Sequence, residues 1–356
     1  MSKVLMKGNE AIAKAAMKAG LDCFFGYPIT PQNEVPEYLS KLLPEAGKVF
    51  VQAESEVAAI NMVYGAAGAG KRVMTSSSSV GIALKQEGIS YIAGAELPCV
   101  IGSVMRGGPG LGTIQPSQGD YYQATRGGGN GDYHVIVLAP ESVQETVDLM
   151  KEAFDIADLY RNPVMVLADG LIGQMMETVD LDKPIKKREL PEKAWASIGT
   201  KHHEGRNIIN SLFLDPNELE QHNLKLQKKY KEVEKNETKY EMINMDNNPE
   251  YVIVAYGTTA RICRSSIEIL AENGVNVGMI RPISLWPYPK KAFNDIPKSV
   301  KGLMVVEMSL GQMLDDVLIS DRGRHKVAFY GRPGGIVPEP EEIVEAIMTF
   351  DERVVE

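Results

Sequence analysis

The chain has 356 residues, of which 44% are hydrophobic and 24% charged, so it is long enough for about two globular domains. A formal net charge of −9 excludes, as a default, the basic surface of proteins that bind nucleic acid or anionic membranes. Its three cysteines, Cys23, Cys99 and Cys263, stand far apart, which excludes a cysteine-rich zinc site or iron–sulfur cluster built by this chain alone.

The N-terminal residues contain no apolar core typical of a signal peptide. No apolar run reaches the ~18 residues that a membrane-spanning helix needs. Sparse, unpaired cysteines are typical of a reducing compartment. We therefore expect a cytoplasmic protein with neither membrane nor nucleic acid as a partner.

The first part of the chain alternates helical patterns with short apolar runs. The patterns predict helices over residues 9–20, 54–70, 80–93 and 142–160, and strands over residues 23–26, 49–52, 72–75, 98–105, 134–139 and 163–168. Such alternation indicates a doubly wound, mainly parallel sheet with helices on both faces, here over residues 1–178. Ligands of these sheets bind at the carboxyl ends of the strands, where the Gly-, Ser- and Pro-rich loops of this chain fall.

Residues 179–249 differ in composition and are predicted to be a linker. A charged helical pattern runs from Asp215 towards Glu241, and its few apolar positions favour a solvated connecting helix over an arm that docks a partner. A second α/β unit is predicted over residues 250–356. Its predicted elements are strands at residues 251–257, 276–280 and 302–307, helices over residues 258–274 and from residue 339, and a turn-rich loop over residues 281–287.

Two glycine-rich segments were tested against nucleotide-binding motifs. Residues 65–71 nearly match a phosphate loop, but Arg72 replaces the magnesium-binding Ser or Thr, and the segment follows a helix rather than a strand. Close helix packing is therefore favoured there. Residues 107–112 do not match a dinucleotide-binding turn, yet their glycines let the backbone approach a ligand.

Three polar residues stand next to predicted strands. Glu56 either complements the dipole of the helix that follows or is a buried carboxyl that exchanges a proton with a ligand. Thr30, between two prolines, either belongs to a rigid turn or presents its hydroxyl to a substrate. Arg106 either pairs with a structural carboxylate or binds the anionic group of a substrate.

Taken in order, these segments resemble one known family. The segments are residues 27–31 (Tyr-Pro-Ile-Thr-Pro), 52–60 (Gln-Ala-Glu-Ser-Glu-Val-Ala-Ala-Ile), 106–112 with 118–120 (Gln-Gly-Asp), and 281–283 (Arg-Pro-Ile). They resemble the alpha-type subunit of 2-oxoacid:ferredoxin oxidoreductases, over nearly the whole chain. Residues 52–67 and 85–90 resemble, more narrowly, the branched-chain type that acts on 3-methyl-2-oxobutanoate.

The resemblance implies a pyrimidine-type thiamine-diphosphate-binding domain in residues 1–178 and a transketolase C-terminal-like α/β domain in residues 250–356. It implies that the complex oxidatively decarboxylates a 2-oxoacid, passes the acyl group to coenzyme A and sends electrons to ferredoxin. Thiamine diphosphate is the expected cofactor, shared with a partner subunit.

The same resemblance implies the site residues. Glu56 matches the family's catalytic glutamate, whose carboxyl bonds the aminopyrimidine ring of the cofactor and so promotes loss of the thiazolium proton. Thr30 matches the threonine that contacts the 2-oxoacid, and Arg106 matches the arginine that faces its carboxylate. Pro28 and Ile29, in the same motif as Thr30, are expected to contact the cofactor.

Other parts of the reaction are expected on partner subunits. The Gly-Asp-Gly motif that binds diphosphate and magnesium is missing, because residues 168–170 are Ala-Asp-Gly. We expect magnesium on a beta-type subunit and iron–sulfur clusters on partners, with a gamma-type and a ferredoxin-like subunit completing the complex. Many relatives have a Thr-x-Ser-Gly-Pro-Gly turn where Ser78 and Val80 here replace Gly and Pro.

Two hypotheses from other classes stay open at this point. The chain is either a non-catalytic assembly subunit whose glycine loops only pack against partners, or a self-contained nucleotide-binding enzyme that uses residues 65–71. Within the leading hypothesis, 2-oxoglutarate and pyruvate are alternatives to a branched-chain substrate.

Overall fold

Two predominantly parallel sheets organise the chain, which a computed structural model describes over residues 3–199 and 205–355. In chain order the strands are β1 (Val4–Lys7), β2 (Cys23–Gly26), β3 (Val49–Gln52), β4 (Val73–Ser77), β5 (Cys99–Met105), β6 (Ile136–Leu138), β7 (Pro163–Asp169), β8 (Met176–Val179), β9 (Tyr240–Ile243), β10 (Tyr251–Val254), β11 (Val277–Pro282), β12 (Ser284–Trp286), β13 (Gly302–Glu307) and β14 (Lys326–Gly331).

Helices connect most of these strands. They are α1 (Gly8–Lys18), α2 (Glu34–Glu45), α3 (Glu56–Gly68), α4 (Ser79–Gly94), α5 (Tyr121–Thr125), α6 (Val143–Tyr160), α7 (Gly170–Gln174), α8 (Pro216–Glu237), α9 (Gly257–Glu272), α10 (Gln312–Asp321) and α11 (Pro340–Met348), with short 3-10 helices at Met245–Asn247, Lys290–Asp295 and Phe350–Arg353. Hydroxyl caps fix two of the starts, because Ser55 Oγ accepts from the amide of Ala58 and Ser142 Oγ from that of Glu145.

The first sheet has seven strands in the order β12-β6-β7-β5-β4-β2-β3. All neighbours pair in parallel except β12, which runs antiparallel to β6. Every residue of the central strands β5 and β7 is buried, as helices cover both faces. The parallel order brings the loops that follow β2, β4 and β5 to one edge of the sheet.

The second sheet has five strands in the order β14-β13-β10-β11-β9, and only β9 is antiparallel to its neighbour. One apolar core runs between the two sheets and includes Val137 and Met165 of the first and Val254 and Val305 of the second. A separate two-stranded ladder pairs β1 with β8.

Two local predictions are wrong. Residues 281–287 are not a loop, because β11 extends to Pro282 and β12 follows it. Strand β12 pairs with the free edge of β6, which is far away in sequence, so no local pattern reveals this pairing. The charged helix ends at Glu237 rather than Glu241, where the chain turns into β9. The domain boundaries stay predictions: residues 1–178, 179–249 and 250–356. Strand β9, in the predicted linker, pairs with β11 of the second unit, and β12, in the second unit, pairs with β6 of the first.

Helix α8 lies against the first unit along a narrow apolar stripe, in which Leu226, Tyr230 and Val233 are buried. Its Lys225 pairs with Glu96 at 2.6 Å, which adds a polar contact at the same surface. This packing favours the connecting helix of the two alternatives. No helix in the described part of the chain is both long and apolar enough to cross a lipid bilayer.

Candidate functional site

Buried polar atoms without a hydrogen-bond partner gather at the carboxyl ends of β2, β4 and β5. Among the described residues these are Gln32 Nε2, Ser77 Oγ, Ser78 Oγ, Ser103 Oγ and Arg106 Nε. Buried polar groups in folded proteins are nearly always paired, and exceptions concentrate where a ligand or partner completes the structure. This edge of the first sheet is therefore the candidate site.

Glu56 is the first residue of α3, and only 7% of it is exposed. Its carboxylate lies against Gly81 of α4, where an added Cβ would be 2.7 Å from Glu56 Oε1 and 2.1 Å from Ser77 Oγ. Only glycine fits at position 81 while the carboxylate keeps this place. Within residues 3–199 and 205–355, Glu56 accepts no hydrogen bond and forms no ion pair, so its oxygens are free for a ligand.

Lys85 lies one turn beyond Gly81 and is completely buried. Its Nζ donates to Thr75 Oγ1 at 2.8 Å and to Ser76 O at 3.1 Å. Burial lowers the pKa of Lys85 to about 7, and the negative charge of Glu56 opposes that shift. Lys85 is a residue of this edge to which no sequence motif assigns a role; its only local signal is a lysine four residues after a glycine, on a helix rich in small and apolar residues.

Arg106 and Thr30 are in direct contact. Arg106 Nη1 donates to Thr30 O at 3.0 Å, and Nη2 donates to Leu111 O at 3.1 Å. Arg106 is 9% exposed and forms no ion pair with any described residue. Of the two alternatives drawn from the sequence, the structural ion pair is therefore absent from the described chain.

The loop after β2 carries the other two residues predicted to contact a cofactor. Pro28 is exposed, and Ile29 is partly buried next to Thr30. Thr30 Oγ1 accepts a hydrogen bond from Asn33 Nδ2 at 3.3 Å, which orients the hydroxyl. None of these three residues hydrogen-bonds to Glu56 within the described ranges, so the structure places them on the same edge without joining them directly.

Ser79 connects the two groups of residues. It begins α4 with a positive φ of 27°, a conformation that non-glycine residues adopt only where the surrounding structure enforces it. Its Oγ accepts from the amide of Arg106 at 3.0 Å and donates to Asp120 Oδ2 at 2.5 Å. Burial raises the pKa of Asp120 to about 6, against the opposing effects of the Ser79 hydrogen bond and the Arg106 charge.

A cavity of about 470 Å³ opens beside this network, and loops of both units line it. Its walls include Val80, Pro109, Asp120, Ser309 and Gly334. Val80, one of the two departures from the family turn, thus faces the cavity, whereas the hydroxyl of Ser78, the other departure, is buried without a partner.

Gln118 fastens the loop that carries Asp120 to the second sheet. Its side chain donates to Tyr256 O at 2.8 Å and accepts from the amide of Met308 at 2.9 Å, and it is fully buried. From the sequence, Gln118 is recognisable only as part of a motif, because its partners lie far away along the chain.

Two other expectations can be placed. Residues 65–71 form the last turn of α3 and the turn after it, which is opposite to the strand-to-helix geometry of a phosphate loop. That part of the structure supports packing rather than nucleotide binding. In the described residues there is no group of three or more His, Cys, Asp or Glu side chains arranged to hold a metal ion.

Two family profiles match the chain. Residues 14–245 match the family described as pyruvate flavodoxin/ferredoxin oxidoreductase, thiamine diphosphate-binding, and residues 249–343 match pyruvate:ferredoxin oxidoreductase core domain II. The ketoisovalerate oxidoreductase subunit VorB of Methanothermobacter thermautotrophicus is 49% identical, over 98% of this chain and 97% of its own length. The 2-oxoglutarate synthase subunit KorA of Archaeoglobus fulgidus is 38% identical, over 89% of this chain and 91% of its own length.

Two solved structures are similar. The 2-oxoglutarate:ferredoxin oxidoreductase of Magnetococcus marinus superposes with a TM-score of 0.87 at 28% identity; the match covers 98% of this chain and 65% of that longer chain. A split-gene transketolase superposes with a TM-score of 0.59 at 13% identity, over 96% of this chain and 95% of its own, which is a likeness of fold alone. These matches confirm the predicted thiamine-diphosphate-binding, transketolase-like α/β architecture.

Proposed function

The chain belongs to the 2-oxoacid:ferredoxin oxidoreductase family, and from this premise we propose that it is the alpha-type subunit of a complex that oxidises a branched-chain 2-oxoacid. The 2-oxoacid is converted to its acyl-coenzyme A and carbon dioxide, and two electrons pass to ferredoxin. The substrate assignment rests on the similarity to a subunit named for ketoisovalerate, which is 3-methyl-2-oxobutanoate.

One geometric observation supports catalysis at this site more than any other. Glu56 is a buried carboxylate at the end of a sheet that spends none of its hydrogen-bonding capacity on the described chain. Its two oxygens are therefore available to a ligand at this edge of the sheet. An uncommitted carboxylate at this place fits proton exchange with a bound cofactor.

The residues at this edge fit the pyrimidine end of thiamine diphosphate. Glu56 supplies the carboxyl for a ring nitrogen, and the unpaired hydroxyl of Ser77 lies beside it. When bound, the cofactor supplies a carbon nucleophile for the 2-oxo group and accepts the electrons that the departing carboxylate leaves behind. Pro28 and Ile29 would form the adjoining wall.

The chain's own residues have distinct tasks in this proposal. Glu56 holds and returns the proton of the ring nitrogen. Arg106, which forms no ion pair with a described carboxylate, binds the carboxylate of the 2-oxoacid from the side. Thr30 offers its hydroxyl to the same substrate, and the contact between Arg106 and Thr30 O keeps the two at a fixed separation.

We assign the remaining parts of the reaction to partner subunits. A beta-type subunit holds the magnesium ion and the diphosphate, and a gamma-type subunit and a ferredoxin-like subunit complete the complex and carry the iron–sulfur clusters. This division agrees with the Ala-Asp-Gly sequence of residues 168–170 and with the scattered cysteines.

The test is coenzyme A-dependent reduction of a viologen dye by the anaerobically purified complex, with a panel of 2-oxoacids. Turnover of 3-methyl-2-oxobutanoate above 2-oxoglutarate and pyruvate is expected. A preference for 2-oxoglutarate, the substrate in the KorA relatives' name, or for pyruvate would keep the chemistry and change the substrate. No turnover of any 2-oxoacid by a complex with intact clusters and cofactor would favour the assembly subunit instead.

A further inference from the structure

We propose that an apolar rim around the candidate site is the surface on which the diphosphate-binding partner subunit docks. The rim consists of four large apolar side chains, each exposed by 45% to 80%: Val57, Leu84, Leu111 and Leu310. The proposal rests on the proposed function, because it takes from there a partner that holds the diphosphate and the magnesium ion.

Two of the rim residues adjoin the proposed catalytic side chains. Val57 directly follows Glu56 in the first turn of α3. The backbone carbonyl of Leu111 accepts a hydrogen bond from Arg106 Nη2 at 3.1 Å, so its loop is fixed to the site. A molecule that covers these two side chains therefore also covers the edge of the first sheet.

The cavity beside the site connects the other parts of the rim. Its walls include Ala83 and Leu310, and Leu84 follows Ala83 on α4. Pro109, two residues before Leu111, lines the same cavity. The rim is thus made by both units of the chain, and it surrounds the mouth of one cavity.

The composition of α4 indicates that its outer face is covered. Large apolar side chains exposed in one place mark a surface for another molecule, and a helix that is apolar around most of its circumference is buried. In α4 only Lys85 and Glu87 are charged, and Lys85 is buried. In α8, by contrast, ten of the 22 residues are charged, as expected of a helix whose outer face meets water.

Charge identifies the partner. Among the described residues that line the cavity, Asp120 is the only one with a charge, so this chain supplies no cation there. The diphosphate of the cofactor is anionic and needs a cation, which the proposed partner brings as its magnesium ion. A second copy of this chain would bring Ala-Asp-Gly again in place of the diphosphate-binding motif. An apolar rim also fits a permanent contact, because obligate interfaces are more hydrophobic than transient ones.

The experiment uses the whole complex, co-expressed with an affinity tag on this chain. Leu84→Glu and Leu310→Glu each place a charge on the rim, and we expect each to lower retention of the subunit that carries the Gly-Asp-Gly motif by about tenfold or more. Leu224→Glu is the matched control, because Leu224 is 51% exposed on the charged helix α8, and it should retain that subunit as wild type does. Quantitative mass spectrometry of the eluate measures the subunit, and light scattering measures the mass of the complex.

A second measurement checks that the variants fold. Leu84 and Leu310 are 55% and 79% exposed, so a charge at either position meets water in the unassembled chain. Thermal unfolding of the full chain, purified without partners, should therefore give the wild-type Tm for both variants. If one of them fails to fold, the other still tests the rim.

The outcomes separate this proposal from the proposed function. Wild-type retention of the subunit by the folded rim variants would overturn the proposal, and dye reduction by the same samples would still test the function. Loss of a second copy of this chain, with the diphosphate-binding subunit retained, would also overturn it. Loss of that subunit from Leu224→Glu as well would overturn it too, because docking would not be confined to the rim. A wild-type complex that retains the subunit and oxidises no 2-oxoacid would instead contradict the proposed function.

Discussion

The carboxyl edges of the two sheets each hold a buried glutamate, and the two residues are used in opposite ways. Glu307, at the end of β13, is fully buried and accepts from Ser309 Oγ at 2.7 Å, from the amide of Met313 at 3.0 Å and from that of Leu314 at 2.9 Å. These bonds fix the start of α10. Glu56, nearly as buried, accepts none from the described chain. Unspent hydrogen-bonding capacity, rather than burial, is what distinguishes a site from a structural carboxylate.

The same contrast holds for two buried arginines. Arg281 of β11 donates to both oxygens of Glu145, at 2.8 and 2.9 Å, and to Glu241 at 3.0 Å, so its charge is fully neutralised. Arg106 of the first edge donates to backbone carbonyls alone and keeps Nε unpaired. The charge of Arg281 is therefore used to hold the fold, whereas Arg106 forms no ion pair with a described residue.

Substitution of the two glutamates should produce the largest difference between the two sheets. Glu56→Gln removes the proton-exchanging carboxyl at constant shape, and we expect kcat of the complex to fall by about 10²–10⁴ with the unfolding transition unchanged. Glu307→Gln replaces an acceptor that three donors share, and it should lower the free energy of unfolding by about 1–3 kcal/mol. Dye-reduction kinetics and chemical denaturation measure the two effects.

The reverse pattern, with Glu307→Gln inactive yet stable, would place the chemistry at the second sheet. Normal activity of the complex with Glu56→Gln would show that the chemistry does not depend on the glutamate of the first sheet.

Substitution of the two arginines should separate an effect on stability from an effect on substrate binding. Arg281→Met leaves the carboxylate of Glu145 without its cation, and it should cost about 3–5 kcal/mol of stability. The carboxylate of Glu241 keeps its ion pair with Arg264. Arg106→Met breaks no ion pair of the described chain, and it should raise KM for the 2-oxoacid by about tenfold or more while the chain stays folded. A KM unaffected by Arg106→Met would rule out its proposed contact with the substrate carboxylate.

A pair of glycines tests the space around Glu56. An alanine Cβ at position 81 would lie 2.1 Å from Ser77 Oγ and 2.7 Å from Glu56 Oε1, so Gly81→Ala must displace the carboxylate and should reduce kcat by tenfold or more. Gly65→Ala is the control, because nothing lies within 4 Å of its added Cβ in the described chain, and it should stabilise α3 by about 0.5–1 kcal/mol. Activity of Gly81→Ala equal to that of Gly65→Ala would contradict the placement of Glu56.

The smallest expected effect concerns pH and Asp120. Its pKa is raised to about 6 in the folded chain, from an ordinary value of 3.8. Between those values the folded state binds more protons than the unfolded state, so this group lowers stability as pH rises from about 4 to about 6. Asp120→Asn should flatten that part of the curve of Tm against pH. A variant whose curve falls as steeply as that of wild type would show that another group is responsible.

Much of the first unit could be predicted from local patterns. Alternating apolar runs and glycine-rich loops placed β2, β4 and β5 and put Thr30, Glu56 and Arg106 at one edge, because parallel strands end together. Their roles stay predictions. Strand β12 could not be predicted, because its partner β6 lies far away in sequence and strand pairing depends on packing more than on intrinsic propensity.

Lys85 was missed for a related reason. A lysine in a helix is usually solvated, and its burial arises from the packing of α4 on β4 and α3, which composition does not encode. Gln118 likewise acquires its place only when the second sheet docks. Long-range contacts decide which buried polar groups have hydrogen-bond partners, and these contacts could not be predicted from the sequence.

The hydrogen bonds of the Gln118 side chain to Tyr256 and Met308 have a mechanical consequence. They clamp the loop before α5 to the second sheet, while Ser79 ties the same loop, through Asp120, to the start of α4 in the first. Any rotation of one sheet relative to the other must therefore move Asp120 or break one of these hydrogen bonds. A movement of the second unit would therefore shift Asp120, although that unit contributes no side chain to the proposed chemistry. A partner that binds the second unit would change the position of Asp120 at the site.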